Sequence, residues 1–547
     1  MPFALWTTLV VTAPLWTALV ACLPLRDKRR WLVVSALTLP IVALWGFRSF
    51  VTNDGTDAPS LWGCAWFIAP AALLIIRAFS PTTKALVGAT LYAGAAFYAF
   101  SAVLRVGSLK HLSAFVDASS GAIDLAFALE PLSAAFVALI ALLWPPTLLY
   151  ASKYMEEKEE PSVNRFLFFY ALSVAATLGL ALARNAYTLF LFYEILSLAT
   201  FPLVTHAQND DARRAGRTYL GVLLFGSLAL LLPGLAVVYS ETGSLDFIRG
   251  GRMQNAPSLV VFVALALCTL GAAKAAIMPM HRWLPAAMIA PAPVSAMLHA
   301  VAVVKAGVFA VLKISAYLIG AEAIRRATLD LFGGANPLIY LACATTIIAS
   351  VVALSQDNIK KMLAYSTVSQ LSYIVAAALI ASPRALQAGA VHMMAHGFAK
   401  ITLFFCAGAI YVASKKTRLS EMDGLAKTMP YTCAAFSVAA LSMIGLPPGA
   451  GFWGKWHIFA AAYGGGYYSV IATLVVSTVL NAMYFLPIVR RFYFVGPSEE
   501  SAGRREAPPA MLLALWTTLA FTVFFFLAPE GMQHLTDQLT TETVDGK

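Results

Sequence analysis

Stretches of about twenty predominantly apolar residues, enough for a helix to cross the ~30 Å hydrocarbon core of a bilayer, follow one another along almost the whole chain. Sixteen can be placed, at 3–24, 31–51, 61–79, 84–104, 127–150, 164–183, 185–205, 217–239, 258–280, 291–317, 336–355, 362–381, 388–413, 430–461, 466–489 and 510–528. A soluble globule could not hide them. Hydrophobic residues make up 60% of the 547 positions and charged residues 12%, about half the ~25% charged share of an ordinary soluble domain. The expected fold class is an all-α polytopic membrane protein. The first stretch is not read as a cleaved signal peptide, since it lacks a basic start, is too long and is followed by basic residues.

The net charge of +11 is a matter of topology rather than of nucleic-acid binding, and no nucleic-acid partner is expected. Basic residues gather in alternate loops: Arg26, Lys28, Arg29 and Arg30; Arg77 and Lys84; Lys153, Lys158 and Arg165; Arg213, Arg214 and Arg217; Lys360 and Lys361; Lys415, Lys416 and Arg418; Arg490, Arg491, Arg504 and Arg505. In an alternating count all of these fall on one side. The excess of Lys and Arg in cytoplasmic loops assigns that side to the cytoplasm, with both termini on the non-cytoplasmic side of a cell (plasma) membrane. No soluble domain interrupts the chain; its longest polar stretches are 498–509 and the tail 530–547. Soluble catalytic machinery therefore belongs to other chains. The cysteines (Cys22, Cys64, Cys268, Cys343, Cys406 and Cys433) form no CxxC pair, and no glycine-rich phosphate loop is present, so no cofactor and no bound metal are expected.

Two of the stretches are interrupted. One runs into Pro279-Met280-His281-Arg282-Trp283-Leu284-Pro285, followed by Pro291 and Pro293; the other contains Gly445-Leu446-Pro447-Pro448-Gly449-Ala450-Gly451. Proline removes a backbone donor and clashes with the preceding turn. Irregular backbone at membrane depth is tolerated only where protein or water covers it. If 164–317 and 336–490 are taken as two blocks of five spans, each break falls in the fourth span of its block, and five being odd inverts the second block. Paired broken helices in inverted repeats point to an ion path; ordinary packing kinks are the plainer alternative. Residues 1–110 and 124–160 then flank the repeats on the N-terminal side, and 510–528 and the polar tail 529–547 follow them.

Ionisable side chains at membrane depth are costly and usually functional. Glu194, Lys274, His299, Lys305, His392, His396, Lys400 and Lys455 all fall inside predicted spans. His392, His396 and Lys400 are spaced i, i+4, i+8, which lines one helix face over ~12 Å. A proton path needs groups that gain and lose a proton, as histidine does near neutrality and a desolvated lysine can. Glu194 and Lys274 make a candidate gate: the lysine is held charged while they are close and is released to give up its proton when they part. Plainer readings compete. His299 serves equally as a helix–helix hydrogen-bond partner. Lys313, eight residues from Lys305, either extends the row or snorkels to the surface. Glu130, in Glu130-Pro131-Leu132-Ser133, fits a structural carboxylate at a helix start. His392 and His396 lack a nearby cysteine or acidic third metal ligand.

These residues sit in long motifs. His281-Arg282-Trp283-Leu284-Pro285-Ala286-Ala287, Ala290-Pro291-Ala292-Pro293-Val294-Ser295-Ala296-Met297-Leu298-His299-Ala300, Asp357-Asn358-Ile359-Lys360-Lys361-Met362-Leu363-Ala364-Tyr365-Ser366-Thr367 and His392-Met393-Met394-Ala395-His396-Gly397-Phe398-Ala399-Lys400 resemble the signatures of the complex I/Mrp antiporter-like subunit family, over residues 125–490. The resemblance implies a proton-pumping or antiporting subunit with a fourteen-helix core and two inverted five-helix repeats. It makes Glu194 and Lys274 the family's glutamate–lysine pair, Lys305 or His299 the connecting residue, His392, His396 and Lys400 the central axis, and Lys455 the terminal residue. The chain departs from the pattern in having four spans before Glu130, where the family usually has two, and in ending without the long lateral helix of the distal complex I subunit. Lysine at 455 fits the D-type antiporter member of the Mrp complexes, or a membrane-bound hydrogenase or complex I-like subunit. The expected function is proton translocation, or cation/proton antiport with Na⁺, within a multi-subunit membrane complex. The alternatives are a stand-alone secondary transporter and an energising membrane subunit for a partner enzyme, such as one of inorganic-carbon uptake.

Overall fold

In a computed structural model the chain is described over residues 125–160, 162–496 and 506–541. The first four expected spans, with their loops and Cys22 and Cys64, lie outside these residues. The described part is helical, with three isolated β-bridges and no strands. Its elements are α1 (Pro131–Glu157), α2 (Val163–Ala181), α3 (Ala186–Val204), α4 (Asp210–Gly226), α5 (Leu232–Thr242), α6 (Ser258–Gly271), α7 (Ala292–Ala300), α8 (Val303–Lys313), α9 (Ala321–Phe332), α10 (Pro337–Leu354), α11 (Ile359–Ile380), α12 (Pro383–Ser414), α13 (Pro430–Ile444), α14 (Gly451–Gly464), α15 (Tyr468–Phe494), α16 (Pro509–Leu527) and α17 (Glu530–Thr541). Ten uninterrupted or nearly uninterrupted helical stretches among the described residues are long and apolar enough to cross a bilayer, while α6 and α13 are shorter. Those two are the leading halves of the interrupted helices, so every expected span from 127 onward has its helix.

Local chemistry sets the helix ends. Asn185, Asn209, Asn358 and Ser382 each cap a start by accepting a backbone N–H of the first turn. Prolines stand at the first or second position of α1, α7, α10, α12, α13 and α16, where their missing N–H costs nothing. α12 is the hub, packing on α1, α7, α11, α13, α14, α16 and α17. α7, α8, α11 and α12 are almost wholly enclosed by protein, whereas α15 and the α4–α5 rod turn Leu228, Leu232, Val475, Val479, Met483 and Leu486 outward. Apolar side chains facing outward at that length suit contact with lipid. They surround an interior that is mostly apolar but threaded by buried lysines, histidines and hydroxyl and amide side chains.

The structure differs from the sequence expectation in four places. The stretch 217–239 begins earlier, at Asp210, and holds a π-turn at Ser227–Leu231. The stretch 291–317 is not one regular helix: α7 and α8 are separated at Val301–Ala302, and α8 runs into a π-turn at Ile314–Ile319. The interval after it holds α9, whose Ala323, Ile324 and Ala327 are buried while Glu322 and Arg325 pair outside; twelve residues with several charges give no spanning signal. The polar tail forms α17, with Met532, Leu535 and Leu539 buried. Both proline-rich interruptions occur as expected. α6 stops at Gly271, a 3₁₀ turn at Ala273–Ala275 carries Lys274, and irregular chain follows to Trp283. α13 stops at Ile444, and α14 restarts at Gly451.

Candidate functional site

The interruption after α6 delivers Lys274 on a turn rather than on a helix wall. That turn rests on α8 at Gly307, where a Cβ would collide with the Ala275 nitrogen. Only glycine lets the two backbones meet, so this contact brings Lys274 and the helix carrying Lys305 side by side. The second interruption is placed in the same manner: a Cβ on Gly454 of α14 would collide with His392 Nδ1. The restart of α14 is thereby pressed against α12, and Lys455 is next in sequence.

Lys274 is fully buried. Its ammonium donates to the Tyr193 carbonyl (2.8 Å) and to Ser197 Oγ (2.6 Å), and it lies 3.3 Å from the centre of the Tyr193 ring. Its backbone N–H donates to the Tyr193 hydroxyl at 3.0 Å. Glu194 is the next residue after Tyr193, yet among the described residues no ion pair joins it to Lys274, and both of its carboxylate oxygens are buried without a hydrogen-bond partner. The structure therefore holds the two groups parted, with neutral oxygens and an aromatic face in the carboxylate's place.

Beyond this cluster the polar groups connect through α8, α11, α12, α14 and α15. Lys305 Nζ is hydrogen-bonded to His396 Nδ1. One turn along α12, the rings of His396 and His392 are 6.4 Å apart between centres. His392 Nε2 meets Gln370 Oε1 at 3.0 Å. The Asn481 amide is oriented by its neighbours: its oxygen accepts from Gln370 Nε2 (2.9 Å) and Lys455 Nζ (3.0 Å), and its nitrogen donates to the Ser477 carbonyl (3.2 Å). Lys455 Nζ also donates to the Ile444 carbonyl (2.7 Å), which α13 leaves free at its end, and to Thr478 Oγ1 (3.2 Å). Lys400 enters from the side, donating to Ser366 Oγ (3.0 Å), which in turn accepts from the Tyr484 hydroxyl (3.1 Å). His299 Nδ1 bonds Thr367 Oγ1 at 3.0 Å between α7 and α11. It has the helix-bridging contact of the plainer reading and no side-chain bond to Lys305 or His396.

Lys313 does not snorkel. It is fully buried and ion-paired with Glu130, and it also donates to Ser133 Oγ (3.1 Å) and the Ala183 carbonyl (2.6 Å). Glu130 is accordingly more than a helix-start carboxylate. Among the described residues, of Lys274, Lys305, Lys313, Lys400 and Lys455 only Lys313 has a carboxylate at ion-pair distance. The other four sit against carbonyls, hydroxyls, an imidazole and an amide. Burying an ammonium without a counter-charge costs several kcal/mol, and neutral acceptors offset only part of that. His299 Nε2, His392 Nδ1 and His396 Nε2 are likewise buried with no protein partner. No group of three metal-ligating side chains occurs among the described residues.

Several members of the network were missed from sequence. Ser366, Gln370 and Tyr373 recur every three or four residues along their span, a helical stripe that could have been read. Asn481 and Tyr484 on α15 gave a similar but fainter signal. Tyr193 and Ser197 flank Glu194, but their contact with Lys274 depends on the broken helix.

A lipid-length helical bundle whose interior is a row of uncompensated lysines and histidines between two broken helices defines a polytopic membrane protein with a charged internal axis. Residues 183–481 match the family model described as NADH:quinone oxidoreductase/Mrp antiporter, transmembrane, and the chain belongs to that family. It is 31% identical over 454 residues to NADH-quinone oxidoreductase subunit N of Desulforudis audaxviator, covering 81% of this chain and 88% of that one. It is also 31% identical over 378 residues to NAD(P)H-quinone oxidoreductase chain 5 of Synechocystis, covering 65% of this chain and 53%, about half, of that longer relative. Among solved structures, a chain of the Mrp complex from Dietzia superposes with a TM-score of 0.71 at 21% identity (94% of this chain, 97% of that one). A chain of the archaeal membrane-bound sulfane sulfur reductase superposes with a TM-score of 0.70 at 23% identity (88% and 96%). The shared fold extends over nearly the whole of both.

Proposed function

We propose that this chain is a proton-translocating subunit of a multi-subunit membrane complex, with Na⁺ as the counter-ion where the complex is an antiporter. Protons pass along Glu194, Lys274, Lys305, His396, His392, Lys400 and Lys455, with His299 beside the row. The observation that carries this reading is the hydrogen-bonded sequence from Lys305 through His396, then from His392 through Gln370 and Asn481 to Lys455, inside a helical interior where none of these cations has a carboxylate partner among the described residues. The parted Glu194 and Lys274 represent one state of the gate; their approach makes the other. The blocks 164–317 and 336–490, each with its interruption, act as two inverted half-units joined through Lys305 and His396. The basic loops face the cytoplasm of a plasma membrane.

Relatives named as subunits of quinone oxidoreductases and a neighbour from an Mrp complex support assembly with other membrane subunits. Moving one charge against 100 mV requires ~2.3 kcal/mol. The drive comes from redox chemistry in partner chains or from a counter-ion gradient, relayed as rearrangement of the buried charges. Proton flux into proteoliposomes holding the purified complex tests the proposal: Lys274→Ala and Lys455→Ala should each abolish it, and unchanged flux in both overturns the path. The copurifying chains identify the parent complex.

A further inference from the structure

A cavity of about 240 Å³ lies apart from the charged row. Its walls are the end of α1 (Tyr154, Lys158, Glu160), the segment before α7 (Ile289–Ala292), the start of α11 (Asn358, Lys360) and the end of α12 (Tyr411, Lys416). In an up-and-down bundle the C-terminal ends of α1 and α12 and the N-terminal end of α11 share one face. That face also carries Arg213, Arg214, Lys361, Lys415 and Arg418, so the cavity opens where the sequence places the cytoplasmic leaflet.

Three of the lining side chains are lysines and one is a carboxylate. Two of the lysines are steered by neutral groups. Lys158 Nζ donates to the Tyr411 hydroxyl at 3.2 Å and lies 4.5 Å from that ring's centre, and Lys360 Nζ donates to the Ala290 carbonyl at 2.7 Å. Lys416 is buried. The first turn of the 22-residue α11 points its partial positive charge the same way. Beside these cations the rim is apolar, with Ile289 39% exposed at the mouth and Pro291 next to it. A polar cationic pocket at a membrane interface with an apolar lip fits a phosphodiester whose acyl chains continue outward along protein. Basic pockets between membrane helices on the cytoplasmic side take such headgroups, and the cavity is smaller than the ~300 Å³ lower bound of drug-sized ligand sites.

We propose that this cavity is a binding site for the phosphate headgroup of an anionic phospholipid, which clamps the ends of α1, α11 and α12 to the segment that follows the first broken helix. Neither Lys158 nor Lys416 belongs to the proposed proton path.

The test uses the complex extracted in mild detergent and stripped of lipid. Its melting temperature is followed with added phosphatidylglycerol, phosphatidylcholine or inorganic phosphate at matched phosphate concentration, and bound lipid is identified by mass spectrometry. Phosphatidylglycerol should raise the melting temperature and remain bound, while the other two leave it unchanged. Lys158→Ala and Lys416→Ala should each weaken phosphatidylglycerol binding about fivefold, with Lys158→Arg retaining it. Equal effects of the two lipids, or wild-type affinity in both alanine variants, overturn the proposal. Protection by inorganic phosphate alone would reassign the cavity to a free anion. Crosslinking of Lys158 to an acidic segment of another subunit would reassign it to a protein contact.

Discussion

Asn481 is the narrowest point of the proposed path. Its amide oxygen contacts both Gln370 Nε2 and Lys455 Nζ, so the connection between α12 and Lys455 through hydrogen-bonded side chains crosses it. Asn481→Leu keeps the branching at Cγ, with somewhat more bulk, and removes the bridge. Lys455 keeps the Ile444 carbonyl and Thr478, and Gln370 keeps the Met443 carbonyl at 3.3 Å, so both remain in place while the link between them is lost. A buried polar group deprived of a partner costs ~1–3 kcal/mol. Placed on the transfer step, that corresponds to a roughly 5- to 150-fold fall in proton flux, at about 1.36 kcal/mol per factor of ten. Asn481→Asp fails for a different reason. A fixed negative charge beside the ammonium attracts it by on the order of 4 kcal/mol at an effective dielectric of about 20, before desolvation is deducted, and the proton stays on Lys455. Both variants should therefore slow dye-reported proton uptake in proteoliposomes, while leaving the complex assembled on a sizing column. Flux within twofold of wild type in both would refute a path through Asn481.

Three further outcomes follow from the same geometry. Glu194→Gln leaves the neutral partners of Lys274 intact but removes the charge that recaptures the proton, so flux should fall; unchanged flux eliminates the gate. Gly307→Val drives a side chain into the Ala275 backbone and should lower the melting temperature and the flux together, whereas a normal melt would mean that the Lys274 turn does not need this contact. Glu130→Gln or Lys313→Met alone strands a buried charge and should destabilise by ~3–5 kcal/mol, while the double variant recovers most of that loss. Additive losses in denaturant unfolding would show that the two residues are not a pair.

Chain chemistry local to each segment already determined much of this protein. Runs of about twenty apolar residues dictate helices in lipid, because no other open structure satisfies its own backbone there. From 127 onward those runs recur as the observed helices, and both proline-rich interruptions are where the missing donors require them. The scarcity of charge at depth made Glu194, Lys274, Lys305, His392, His396, Lys400 and Lys455 visible, since such residues rarely survive without a use. Pairing was another matter. Glu194 and Lys274 have opposite charges, yet among the described residues they form no ion pair, and Lys313, on the same helix as Lys305, turns to Glu130 at the distant start of α1. Gln370 and Asn481 look like ordinary polar residues until α11 and α15 bring them together against Lys455. Which polar groups meet depends on how helices cross and where glycines let backbones touch. Those are contacts between segments far apart in sequence, and only the packed bundle decides them.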